Sequence, residues 1–213
     1  MINKVAKHIK QGTLANAVYK KAMMNRSRNI YNIIRYGWEA PRFGEIIWVS
    51  PSNCNMYIPK SIIKESCGMP PNAALVIKST WLFEQARPIN EISKLKYCID
   101  HWVDGIPWEN TDAFEYTKYR EESLKKHKVL DLIFEQVKRE GSFRLKEETI
   151  SSYSYRPYAY AKVHIGPNGE AFYGGDARHR FAMAHILQIP FPAQIGCVHV
   201  SAIPYLKEYR RKK

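Results

Sequence analysis

The sequence predicts an α+β fold: a small mixed sheet, a helical insert to one side, and a basic helix at the N-terminus. Three observations carry this. A hairpin is written at 161–173, with a short run holding Val163 and Ile165, then Pro167-Asn168-Gly169, then 170–173 as the return. Asn-Gly supplies the positive φ that a tight hairpin turn requires. The period then changes: after Gly174-Gly175, a pair that lets the backbone turn sharply, Phe181, Met183, Ala184 and Leu187 recur at helical spacing. Finally, apolar runs at 45–49, 73–78 and 193–200 read as further strands.

In chain order, 14–36 reads as a helix through Leu14, Val18, Ala22, Ile30, Ile33 and Ile34, with Gly37 as its stop. Its polar side is basic throughout. Such a face is a solvated surface, or it meets an anionic membrane surface or nucleic acid. Ala40-Pro41 breaks the helix, and the globular domain starts near Glu45, the first residue of a strand over 45–49. Ser50 to Asn53 is a turn, 61–65 a short helix and 73–78 a buried strand. Ile92, Leu95, Cys98, Ile99 and Trp102 place a helix over 88–101, ended by Asp104-Gly105. In the loop that follows, Trp108 and Glu109 reach into a substrate pocket, or Trp108 staples helices while Asn110 or Thr111 caps the next one. A helix over 121–140 has Leu130, Ile133, Phe134 and Val137 as its core face, and the run Lys125, Lys126, His127, Lys128 as a solvated face. The tyrosine-rich stretch 151–160, with Arg156, either stacks on a base or lines a loop over the core. The last core strand is 193–200, and the basic tail from Tyr205 is frayed. The expected organisation is a basic segment at 1–40, a domain at 45–200 with its helical insert at about 88–150, and a tail at 201–213.

A chain of 213 residues suits one elaborated domain. Its net charge of +13 belongs to its ends: residues 1–36 carry +8 with no acid, residues 207–213 carry +4, and about +1 is left between. Cys54, Cys67, Cys98 and Cys197 show no C-x-x-C spacing, which argues against a zinc knuckle and a disulfide framework and for a reducing cytoplasm. No apolar run approaches eighteen residues and no signal peptide is evident, so a soluble protein is expected, with the basic ends suited to the inner membrane face.

The chemistry concentrates after the hairpin. Arg178, His179 and Arg180 fall in the first turn of the predicted helix, with Gly174 and Gly175 before them and Asp176 placed to cap it. A helix N-terminus has free N–H groups and a partial positive charge, so this pattern makes an anion site, most simply for phosphate. The plainer reading has the arginines at the surface and His179 packed. Four histidines, His164, His179, His185 and His199, raise a metal site, but no H-E-x-x-H spacing supports one.

The stretch Gly-Gly-Asp-Ala-Arg-His-Arg-Phe-Ala-Met-Ala, continued by Leu187-Gln-Ile-Pro-Phe-Pro-Ala-Gln-Ile195, resembles the phosphate-binding motif of the ParB/sulfiredoxin superfamily over residues 163–200. A longer likeness over 73–200, carried by His101-Trp-Val-Asp-Gly-Ile-Pro-Trp-Glu-Asn-Thr111 and Leu130 to Gly141, is to ParB-like nuclease-domain proteins of archaea and bacteria, and implies no particular activity. The first resemblance implies a ParB/sulfiredoxin-like sheet and binding of a nucleotide's phosphates, since members use CTP, ATP or ADP. It points to a kinase-like phosphotransferase using ATP or another nucleoside phosphate with Mg²⁺ on a small-molecule or glycan acceptor. Gly174 and Gly175 would offer backbone N–H groups, and Arg178, His179 and Arg180 would hold phosphate oxygens. Asp176 or Glu109 would serve as base or Mg²⁺ ligand, and Trp108 and Tyr173 would touch substrate. The alternative is a non-catalytic nucleotide switch or a nucleic-acid module, although no helix-turn-helix follows the motif. Sulfiredoxin chemistry is disfavoured, because its cysteine position holds Arg178.

Overall fold

The computed structural model describes residues 26–67, 74–113, 120–145 and 160–211. The tyrosine-rich stretch up to Ala159 and the first part of the N-terminal helix lie outside them. The fold is α+β. Its strands are β1 (Ile46–Val49), β2 (Met56–Tyr57), β3 (Leu75–Ile77), β4 (Arg87–Pro88), β5 (Ala161–Ile165), β6 (Ala171–Gly175) and β7 (Phe191–His199). Its helices are α1 (residues 26–36), α2 (Lys60–Cys67), α3 (Trp81–Glu84), α4 (Ser93–Trp102), α5 (Arg120–Glu140), α6 (Arg178–Leu187) and α7 (Leu206–Tyr209).

One mixed sheet runs β1-β7-β5-β6-β2-β4, with β3 also on β7. β5 and β6 form the expected hairpin, pairing Val163 with Tyr173 and Ile165 with Ala171, and Gly169 takes φ +84° in its turn. β7 lies parallel to β5 and antiparallel to β1. Alternation along β6 sends Phe172 and Tyr173 to opposite faces. Tyr173 joins Val163, Ile195, Phe181 and Met183 in the main core under α6, while Phe172 joins Ile58, Ile63, Leu82, Phe83 and Cys197 in a smaller core under α2 and α3.

Several expectations need correction. The two-residue strands β2 and β4 are too short to show a period, and they form because β2 finds an edge beside β6. The helix expected over 88–101 is divided into β4, a 3-10 turn at Ile89–Glu91, and α4. Gly174-Gly175 is the end of strand β6; the reversal expected there begins at Gly175 (φ 106°) and continues through Asp176 (φ 63°) and Ala177 (φ 40°). His127 is buried on the face of α5 that also carries Leu130, Phe134 and Val137, because it lies three residues before Leu130. The tail is docked as far as Arg210: Leu206 and Tyr209 are buried, and the Arg210 guanidinium donates to Glu45 Oε1 at 2.6 Å and Glu39 Oε2 at 2.8 Å. The helices of the expected insert pack directly on the domain. α4 packs on α6, and α5 puts Leu130, Phe134 and Val137 into the main core.

Candidate functional site

The segment from Tyr173 to Arg180 is built by two constraints. The first is the ring of His164 on β5, which lies flat across the sheet between Gly174 on β6 and Gly196 on β7. A Cβ on Gly174 would overlap His164 Nε2, and one on Gly196 would stand 2.7 Å from Nδ1. The second is the left-handed pair Asp176-Ala177, non-glycine residues in a region that costs L-residues energy. Ala177 is the N-cap of α6 and offers no side-chain cap. Asp176, expected as that cap, pairs with Lys60 at 3.0 Å and Lys162 at 3.9 Å, and its carbonyl accepts from the Tyr173 hydroxyl at 2.7 Å.

Beside this segment lies a half-open cleft of about 220 Å³, walled by Tyr57, Lys60, Glu91, Lys94, Tyr173, Gly174, Gly175 and Arg178, among others. Lys60, Ser93 and Arg178 are the first residues of α2, α4 and α6, and all three line it. The cleft therefore receives the positive ends of three helices and three basic side chains. Burial, and then the charge of Arg178, hold the Lys94 ammonium below the usual lysine range. Glu91 and Asp176 are the carboxylates beside it, the first 3.9 Å from Arg87 and the second engaged by lysines.

His164 stands behind the Gly174 wall. Its Nδ1 accepts from the Cys197 N–H at 2.9 Å, and burial pushes its pKa down to about 3. A neutral ring that accepts at Nδ1 carries its proton at Nε2. That Nε2–H is buried against Gly174 and has no hydrogen-bond partner among the described residues.

The structure separates the residues that the sequence groups. One helical step is 100°, so Arg178, His179 and Arg180 diverge. Arg178 faces the cleft. His179 turns between α4 and α5, with Nε2 3.5 Å from the Tyr97 hydroxyl and its ring 5.7 Å from that of His127, and burial pushes its pKa down to about 3. Arg180 turns to the other side, donating to the Arg144 carbonyl at 2.8 Å and lying over the rings of Phe143 and Tyr160. Tyr173 lines the cleft and stacks on Phe181 at 3.9 Å. Trp108 is 3 % exposed; its indole N–H donates to Asp131 of α5 and its ring stacks on His101 of α4, so it staples helices. Glu109 follows it in a 3-10 turn at Trp108–Asn110 and does not line the cleft. The four histidines do not gather: His199 is tied to Ser201 and to the Lys78 carbonyl, His185 packs on Phe181, and among the described residues no group of three or more ligands suits a metal.

Lys60, Glu91 and Lys94 escaped the sequence reading. Each lies eighty or more residues before the glycine pair, Lys60 at the start of α2 and Glu91 and Lys94 around the start of α4, so no local spacing connects them. A larger cleft of about 520 Å³, lined by Trp48, Asn53, Glu170, Tyr205 and Glu208 among others, has no lysine or arginine in its wall and so lacks the cations an anion needs. Among the described residues, no helix is long and apolar enough to cross a membrane. In comparisons with family models, curated proteins and solved structures, the chain matches none.

Proposed function

We propose that this protein binds the phosphate groups of a nucleotide in the cleft between Gly174-Gly175, Lys60, Lys94 and Arg178, and that it acts as a phosphotransferase on ATP or another nucleoside phosphate. The carrying observation is that three cations and three helix starts meet at one glycine-walled cleft. Backbone N–H groups and a guanidinium fork suit phosphate oxygens, and a surplus of cations suits charge that spreads during phosphoryl transfer. A volume of about 220 Å³ suits a phosphate chain, with the base outside it. The resemblance to the ParB/sulfiredoxin superfamily supports the same reading.

Glu91 is the carboxylate in the wall, so it would either hold Mg²⁺, which would supply neutralisation of phosphate charge, or serve as the base in place of Glu109, which lies off the cleft. A second reading, a nucleotide-bound switch without turnover, is favoured by Asp176: with its oxygens held by Lys60 and Lys162, it is poorly placed to accept a proton. A thermal-shift series with ATP, CTP, ADP and inorganic pyrophosphate, with and without Mg²⁺, tests the site, because a ligand that binds only the folded state raises its melting temperature. A shift with at least one nucleotide, lost in Arg178→Ala, is expected. No shift with any of them overturns the proposal, and a shift without ADP production over time selects the switch.

A further inference from the structure

Helix α1 is built inside out. Asn32 is buried and donates from Nδ2 to the carbonyls of Pro41 and Ala74, both at 2.8 Å, and Asn29 Oδ1 accepts from the Phe43 N–H at 2.7 Å. Tyr36 completes this inner stripe by packing on the main core. The opposite stripe, which would be polar on an ordinary surface helix, holds Ile30 and Ile34, with Trp38 just beyond the helix end. Ile34 is 81 % exposed, Trp38 75 % and Ile30 58 %, with Tyr31 beside them at 59 %. Arg26 and Arg35 stand exposed along this stripe, and from Met1 to Trp38 the sequence holds eight lysines and arginines and no acid.

We infer that α1 and Trp38 dock this protein on an anionic lipid bilayer. Three occupants meet different fates on this surface. A second copy packed α1 on α1 would bring Arg26 and Arg35 against their own kind, and α1 carries no acid to answer them. A nucleic acid would satisfy the arginines and leave Ile30, Ile34 and Trp38 in water. A bilayer interface takes both, with isoleucines and the indole at the acyl boundary and cations among anionic headgroups. The asparagine anchors fix the helix to the domain by its polar side, so among the described residues its apolar side faces outward. This inference does not rest on the nucleotide reading.

The test is co-sedimentation of the full chain with vesicles rich in phosphatidylglycerol and with phosphatidylcholine vesicles. Binding to the first and not the second is expected, with a blue shift of tryptophan emission and loss at high salt. Ile34→Asp with Trp38→Ser, and separately Arg26→Glu with Arg35→Glu, should each weaken binding at least about tenfold and leave the melting temperature unchanged. Absence of binding, or equal binding to neutral vesicles, overturns the inference. So does a fall in melting temperature in the Ile34/Trp38 variant, which would mean that another part of the chain covers the stripe. Duplex DNA binding that depends on Arg26 and Arg35 but not on Ile34 and Trp38, without vesicle binding, would assign the surface to nucleic acid. A dimer dissolved by the Ile34/Trp38 variant would assign it to a second copy.

Discussion

The imidazole of His164 occupies the space that a side chain at Gly174 would need. Glycine is therefore required at 174 for close approach, while the chain reversal begins at the next residue, with positive φ at Gly175, Asp176 and Ala177. Gly174→Ala should destabilise the fold by about 1–3 kcal/mol through overpacking. In the double variant with His164→Ala part of that cost should vanish, a coupling of about 0.5–3 kcal/mol measured by urea unfolding of the four proteins. Strict additivity would mean that the two residues do not oppose each other.

Arg178 and Arg180 should part company on mutation. Arg178 lines the cleft, so Arg178→Ala should weaken nucleotide binding about ten- to a hundredfold, the worth of a charge-assisted hydrogen bond. Arg180 is held by the Arg144 carbonyl and two rings, so Arg180→Ala should lower stability first. Isothermal titration beside thermal melting separates them, and the opposite pattern would move the ligand to the Arg180 side of α6.

Lys94 gives a test independent of both arginines. Its ammonium is disfavoured by burial and by Arg178, so an anion in the cleft relieves a repulsion already present. Lys94→Met should remove binding by about tenfold or more while leaving the unliganded protein no less stable in urea. A large loss of unliganded stability would assign Lys94 a structural role instead.

Buried histidines tie stability to pH, His127 among them, its pKa lowered by burial. Burial lowers the pKa of His164 and His179 to about 3 and of His185 to about 4, below the unfolded value near 6.5. As pH falls through about 6.5 the unfolded chain gains protons that the folded chain refuses, so stability is full above that pH and declines below it, down to the folded values. The slope approaches about 1.4 kcal/mol per pH unit for each such histidine. Urea unfolding between pH 7.5 and pH 5, a range chosen above most carboxylate titration, should show this decline, and His185→Gln should reduce its slope. A flat profile would place these rings in contact with water.

Asp131 accepts from the indole N–H groups of Trp102 and Trp108, at 2.9 and 3.0 Å, and from His101 at 3.2 Å. Asp131→Ala leaves those donors without their acceptor and should cost about 2–4 kcal/mol, with a change in tryptophan emission as α5 loosens from α4. A near-neutral result would show that α5 is held by Leu130, Phe134 and Val137 alone.

The sequence by itself determined the hairpin, the helix after it and the strand that follows. Each rests on neighbours in the chain: Asn168-Gly169 for the turn, a period of 3.6 for Phe181 to Leu187, and an apolar run ending in His199. It also determined that the charge lies at the ends. Only the tertiary structure decided which residues share the cleft. Lys60, at the start of α2, and Glu91 and Lys94, around the start of α4, come to line one cleft with Gly174 from far away in sequence, while Arg178, His179 and Arg180, adjacent in sequence, are fanned apart by the helix itself. The same holds for α1. Periodicity shows that it has two faces, but which of them is buried was settled by Asn29 and Asn32 meeting the carbonyls and N–H of a neighbouring loop and of Ala74, a pairing no local spacing can express.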